Sequence, residues 1–218
     1  MLTSRRQFQL QAAAGLALLG TAPAHGQSAA ARPVTPPLTE GPFKPRRWPT
    51  DTDADLTTRL GQPGRARGTV ILVQGRVLGP DGRPLAGARI ELWQANAAGR
   101  YSHPADRVNQ PLDPHFDGAA RLVTDAQGGW SIRTVMPGPY TAGGGIRAPH
   151  IHFEVRSDRR RLTTQMLFEG DRHNAADPLL RRFHAAGPQA LAPLLARSAG
   201  TSADGTGRYS WDLVLPRA

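Results

Sequence analysis

Apolar residues recur along this chain in short runs with a period of two, separated by glycine- and proline-rich punctuation. That pattern predicts strands of five to nine residues and leaves little room for long helices. Residues 69–77 (TVILVQGRV) form the first strand, β-branched and largely apolar. Gly79-Pro80-Asp81-Gly82 supplies turn chemistry. Residues 88–94 follow as a strand with Ile90 and Leu92 on one face and Arg89, Glu91 and Trp93 on the other. A second strand–turn–strand unit spans 120–124 and 130–133 across Asp125-Ala126-Gln127-Gly128-Gly129. Further strands are expected at 151–155, 162–168 and 209–215, and short helices at 178–184 and 189–196. Residues 102–118 have little strand character and read as a functional loop. The resulting fold class is all-β: a β-sandwich with short helices and long loops.

Composition narrows the chemistry. The 218 residues include 24 Gly and 20 Pro, in keeping with many turns. Zero cysteine excludes disulfides, Cys-ligated zinc, iron–sulfur clusters and thiol nucleophiles. A metal could then be held only by His, carboxylate, Tyr or backbone oxygen. The formal charge of +10 raises the question of nucleic acid. The basic cluster Arg156-Ser157-Asp158-Arg159-Arg160-Arg161, however, fits a hairpin tip between two strands. No interleaved basic–aromatic platform accompanies it, so no nucleic-acid partner is expected.

The N-terminus carries targeting information. Arg5 and Arg6 precede Phe8 and Leu10, an apolar run at 12–19, and the small-residue site Ala22-Pro23-Ala24. This is a cleavable signal peptide over 1–24, of the twin-arginine type, and it implies export to the periplasm or beyond. The apolar run is too short for a stable membrane anchor. Cleavage would take the formal charge from +10 to +8 by removing Arg5 and Arg6. Residues 25–50, rich in proline, read as an extended arm, and 51–218 as one sandwich domain.

The segment Arg147-Ala148-Pro149-His150-Ile151-His152-Phe153 carries the most chemistry. In a strand, His150 and His152 share a face and could bind one metal ion, while Ile151 and Phe153 fill the buried face. Two histidines on a solvated face would read the same way. Two of the three tyrosines, Tyr101 and Tyr140, each follow a strand and a glycine-containing turn, where a side chain can be aimed into a cleft or sit at the core rim.

Taken together, Leu92-Trp93-Gln94-Ala95-Asn96-Ala97-Ala98-Gly99-Arg100-Tyr101, Pro137-Gly138-Pro139-Tyr140 and the histidine segment resemble the intradiol ring-cleavage dioxygenases, of the protocatechuate 3,4-dioxygenase type. Thr39-Glu40-Gly41-Pro42-Phe43 upstream, and residues 162–171 downstream, match in the same order. The resemblance implies one ferric ion per chain, held by Tyr101, Tyr140, His150 and His152. It implies a catecholic substrate, protocatechuate or a relative, opened with both atoms of O2 to a cis,cis-muconate-type diacid. Tyr140 matches the ligand that the substrate displaces, Arg147 an arginine that steadies negative charge on the ring, and Gln165 a glutamine behind the ligands. A complete ligand set resembles the catalytic chain of a group often built of two related chains, which leaves open a homo-oligomer or a pairing with a related chain. Thr141-Ala142-Gly143-Gly144-Gly145 departs from the aromatic residue common after that tyrosine, and Leu167 stands where an aromatic is common. The rival reading is a non-catalytic transthyretin-like or carboxypeptidase-regulatory-like sandwich that binds partners, suggested by residues 75–88 and 124–130.

Overall fold

The computed structural model describes residues 32–50 and 53–218. The expected signal segment and the first residues of the arm lie outside the described residues. Strands β1 (Val70–Leu78), β2 (Arg89–Gln94), β3 (Ala119–Val123) and β4 (Gly129–Val135) come first. They are followed by a small hairpin, β5 (Tyr140–Ala142) and β6 (Gly145–Arg147), and by the two long strands β7 (His150–Ser157) and β8 (Arg160–Phe168). After short helical turns come β9 (Leu195–Thr201), β10 (Gly207–Ser210) and β11 (Leu213–Val214). The strands other than β5 and β6 join in one sheet whose path runs β4-β1-β10-β9-β8-β7-β2-β3, with β11 also beside β1. Pairing is antiparallel except for β1 with β10 and β11, and β8 with β9.

The sheet folds back on itself because its period-two strands each have one apolar face to hide. Ile71, Val73 and Val77 of β1 and Ile132 of β4 share a core with Ile90 and Leu92 of β2 and with Ile151, Phe153 and Val155 of β7. The Phe153 ring centroid sits 5.2 Å from that of Trp130 and 5.1 Å from that of Trp211. Burying each such side chain stabilises the fold by about 2 kcal/mol.

The opposite face of β7 is covered too, so that of its eight residues only Arg156 is exposed. Two covers do this. One is the helical segment, with 3-10 turns at Asn174–Ala176, Pro178–Leu180 and Ala192–Leu194 and the short helices α1 (Arg181–Ala186) and α2 (Pro188–Leu191). Its Leu180, Phe183, Leu191 and Leu194 pack with Ala148 and Leu167. The other is the chain before β1. Residues 32–50 contain no helix or strand, and the Leu38 N–H donates to the Thr163 carbonyl at 3.0 Å.

Four segments differ from what the sequence pattern alone suggests. The helix expected over 189–196 stops early: α2 ends at Leu191, and Leu195 already begins β9, because its backbone enters parallel pairing with Leu167 of β8. The strand expected at 209–215 divides into β10 and β11 around Trp211 and Asp212, where the Trp211 indole turns to donate to the Pro193 carbonyl at 2.9 Å. The glycine-rich stretch after Tyr140 is a hairpin, with β5 and β6 turning at Gly143-Gly144. The helix expected at 178–184 is a 3-10 turn leading into α1. Among the described residues no helix is long and apolar enough to cross a membrane.

Candidate functional site

The site is built on the covered face of β7. Alternation sends Ile151 and Phe153 to the core and His150, His152 and Glu154 the other way. Neighbouring strands extend that face into a row, with Trp93 of β2 and Gln165 of β8 directly opposite His152 on either side. The Trp93 and His152 rings therefore stack, 5.0 Å apart and 6° from parallel.

Two loops bring the tyrosines to this row. After β2 the chain turns at residues 96–99, where the Asn96 carboxamide oxygen accepts from the backbone N–H groups of Ala98 and Arg100. Tyr101 follows, its own N–H donating to Asp106 at 2.8 Å. Tyr140 opens β5. The two turns touch backbone to backbone: a Cβ on Gly138 would lie 2.5 Å from the Gly99 nitrogen, a distance only glycine permits. Small residues at both turns thus decide how closely the two phenols approach.

Four donor atoms converge. Tyr101 Oη lies 3.2 Å from His150 Nε2, 3.1 Å from His152 Nε2 and 3.5 Å from Tyr140 Oη. Tyr140 Oη is 3.3 Å from His150 Nε2, and the two imidazole Nε2 atoms are 3.2 Å apart. A point just above the triangle of Tyr101 Oη, His150 Nε2 and His152 Nε2 lies about 2 Å from each of the three, the length of a metal–nitrogen or metal–oxygen bond, and Tyr140 Oη stands beside that triangle. His150 Nδ1 donates to the Ala148 carbonyl, since a carbonyl can only accept, and this leaves the Nε2 lone pair facing the centre.

Electrostatics agrees with a cation at that point. Burial, then the nearby Arg147 charge, lowers the His150 pKa to about 4. Burial and the neighbouring His150 push His152 well below its usual value. Both imidazoles are therefore neutral near pH 7, the form that ligates metal. Burial raises Tyr101 well above 10 and raises Tyr140 as well. One buried and one partly buried phenol that resist ionisation, beside two neutral imidazoles, make a donor set that a highly charged cation would complete, ionising the phenols as it bound. The residues present fit such an ion. Tyr101 is 2% exposed, whereas Tyr140 is only partly buried, so Tyr140 stands on the open side.

Arg147 and Gln165 adjoin the cluster. Arg147 Nε lies 3.0 Å from both carboxylate oxygens of Asp177, and its Nη2 donates to Gln165 Oε1 at 2.6 Å. Gln165 in turn donates to the Thr39 carbonyl at 2.8 Å. The structure thus brings together all six residues singled out from the sequence: Tyr101, Tyr140, Arg147, His150, His152 and Gln165.

Sequence reasoning missed four others. Asp177 is fully buried and also accepts from the Ala148 and Leu179 N–H groups. Its signal was the Asp-Pro pair, an N-cap followed by proline at the first helical position. Asp106 seats Tyr101. Glu154 continues the His150, His152 face by two residues, and Lys44 reaches it at 2.9 Å. A cavity of about 230 Å³ beside Tyr101 and Trp93 adjoins the cluster, whereas a larger cleft of about 1330 Å³ lined by Arg76, Arg121 and Trp130 touches none of these donors. The convergent chemistry, and not cavity size, locates the site.

Comparisons with known proteins agree on one relationship. A family model described as Dioxygenase matches residues 39–217. The protocatechuate 3,4-dioxygenase beta chain of Burkholderia cepacia is 42% identical over 170 residues, covering 75% of this chain and 71% of that protein. The corresponding alpha chain of Pseudomonas putida is 31% identical over 195 residues, covering 84% of this chain and 92% of that one. Among solved structures, the dioxygenase domain of a dioxygenase carbohydrate-binding protein fusion from Streptomyces sp. SirexAA-E superposes with a TM-score of 0.63 at 29% identity, covering 85% of this chain and 100% of that one.

Proposed function

Since the chain belongs to the intradiol ring-cleavage dioxygenase family, we propose that it is a non-haem ferric enzyme that inserts both atoms of O2 into a catechol, giving a cis,cis-muconate-type diacid. Membership sets aside the reading as a non-catalytic binding module. The observation that carries the proposal is the convergence of Tyr101, Tyr140, His150 and His152 donors at 3.1 to 3.5 Å.

These four residues would hold the iron. Ferric iron, when bound, would supply a Lewis acid that activates a catechol toward O2. The chain's own groups do the rest. Tyr101, sealed from solvent, is suited to stay in place. Tyr140, on the open side, would be the donor free to move as substrate arrives and would take up a catechol proton at Oη. Arg147 is held by Asp177 and Gln165 through Nε and Nη2, so its charge stays fixed where negative charge grows on the ring. Buried surroundings strengthen that interaction and exclude water. The substrate class follows the relatives named for protocatechuate and catechol.

Oxygen-uptake assays of ferric-loaded protein with protocatechuate, catechol, hydroxyquinol and chlorinated catechols test the reading. One O2 consumed per ring opened, with a diacid product, supports it; no turnover of any of them by iron-loaded protein refutes it. We further propose export, with 1–24 removed as a signal, and assembly with a second copy or a related chain. Cell fractionation with mass measurement, and light scattering, test these in turn.

A further inference from the structure

Glu91 and Glu154 face each other directly across β2 and β7. Like charges so placed repel, and the Glu154 side chain is only 1% exposed. Cations offset that repulsion: Arg121 pairs with Glu91, Arg156 and Arg161 pair with Glu154, and Lys44, the only lysine of the chain, is the one that bridges the two carboxylates. Its Nζ lies 2.9 Å from Glu154 and 3.4 Å from Glu91, with Glu40 at 3.3 Å. The same ammonium sits 5.4 Å from the centre of the Trp93 ring, within cation–π range. Trp93 is the ring stacked on His152.

Lys44 therefore ends a strap that begins at Leu38. At the strap's start, the Leu38 N–H donates to Thr163, and the Thr39 carbonyl accepts from Gln165. Between the two anchors, Gly41 packs so closely on His152 that a Cβ would lie 3.2 Å from the ring. Phe43 lies over the Tyr101 ring at a centroid distance of 4.8 Å. Two of the four donors are thus pressed into place by one seven-residue segment, which is fastened at its far end by Lys44, with Trp48 packed on Trp93 just beyond.

We infer that Lys44 is a positioning residue for the metal centre: by bridging Glu154 and Glu91 it fastens the strap over Trp93, His152 and Tyr101. This rests on the ferric reading above. The partners of Lys44 are Glu40, Glu91, Glu154 and the Trp93 ring, not the four donor atoms, and it acts through the rings it holds. Glu154 keeps Arg156 and Arg161 when Lys44 is neutralised, so the buried carboxylate is not orphaned. What is lost is the fastening.

Ferric-loaded full-length protein, wild type, Lys44→Met and Lys44→Arg, is mixed with excess hydroxamate chelator. Iron release and the visible absorption band are followed, with circular dichroism as a control for folding. Release from Lys44→Met at least tenfold faster, with a displaced band and unchanged circular dichroism, supports the inference. Lys44→Arg, which keeps the cation, should stay within about threefold of wild type. Should Lys44→Met not fold, Glu91→Gln, which leaves Glu154 its cations, should release iron two- to threefold faster. Release and band unchanged in whichever of these folds overturn the inference. A wild type that takes up no iron instead refutes the ferric reading itself.

Discussion

Replacing Asp177 by Asn tests how the arginine beside the donor cluster is held. Asp177 is completely buried and accepts from three N–H groups: Arg147 Nε–H, shared between its two oxygens, the Ala148 N–H and the Leu179 N–H. An amide keeps the shape but turns one acceptor into a donor that must face N–H groups. It also leaves the Arg147 side chain, 9% exposed, without its counter-charge. Removing one partner of a buried pair costs about 3 to 5 kcal/mol. In a domain of this size, each kcal/mol lowers Tm by about 2 to 4 °C, so a fall of about 6 to 20 °C is expected. Activity should suffer separately. The Ala148 carbonyl accepts from His150 Nδ1, so a displaced Ala148 disturbs both Arg147 and His150. A loss of about a hundredfold in kcat, with KM changing less, matches the loss of one preorganised charge. Calorimetry on metal-free protein and oxygen uptake on iron-loaded protein read the two effects. A Tm within 2 °C of wild type together with unchanged kcat would refute the assignment of Asp177 as the anchor of Arg147.

Three further outcomes follow from the same geometry. Gly41→Ala places a side chain at φ +70°, and against His152, so it should lower stability by about 1 to 2 kcal/mol in denaturant titration and weaken iron retention; an unchanged midpoint would contradict the packing of the strap. Burial raises the Glu154 carboxyl, but hydrogen bonds from Lys44, Arg156 and Arg161 outweigh it and hold the pKa at about 2, below the usual 4.5. A depressed carboxylate stabilises above the unfolded value and loses that contribution as pH falls toward 2, so the Tm advantage of metal-free wild type over Glu154→Gln should be full at pH 6 and shrink steadily below pH 4.5. A constant advantage across that range would count against the pairing. Tyr140→Phe in the iron-loaded protein should alter the visible band and slow turnover; an unchanged spectrum and rate would remove Tyr140 from the donor set.

The sequence made the donors legible through its family resemblance, carried by three short segments, while the residues by themselves left alternatives open. Alternation in Arg147-Ala148-Pro149-His150-Ile151-His152-Phe153 separates site from core without any knowledge of the partner strands. Glycine-bearing turns before Tyr101 and Tyr140 allow a side chain aimed into a cleft or one at the core rim, and only the resemblance chose between them. The supporting groups were hidden because their partners lie far along the chain: Lys44 and Glu154 are 110 residues apart, and Arg147 meets Asp177 at a separation of 30. No periodicity reports such a meeting. The start of β9 was misread for a related reason. Residues 189–196 have respectable helical propensity, and only pairing with Leu167 of β8 makes Leu195 extended. The hairpin at 140–147 escaped because three-residue strands carry too few positions for a pattern. The buried aspect of both histidines was likewise unreadable, since the strap and the helical turns that cover them come from opposite ends of the domain.

The central claim is that Tyr101, Tyr140, His150 and His152 hold one ferric ion. Metal content and visible absorption of the purified protein after reconstitution with ferric iron test it most directly. One iron per chain, with a broad visible tyrosinate-to-iron band that gives the preparation a burgundy colour, is the predicted result. A protein that binds no iron and stays colourless would contradict it.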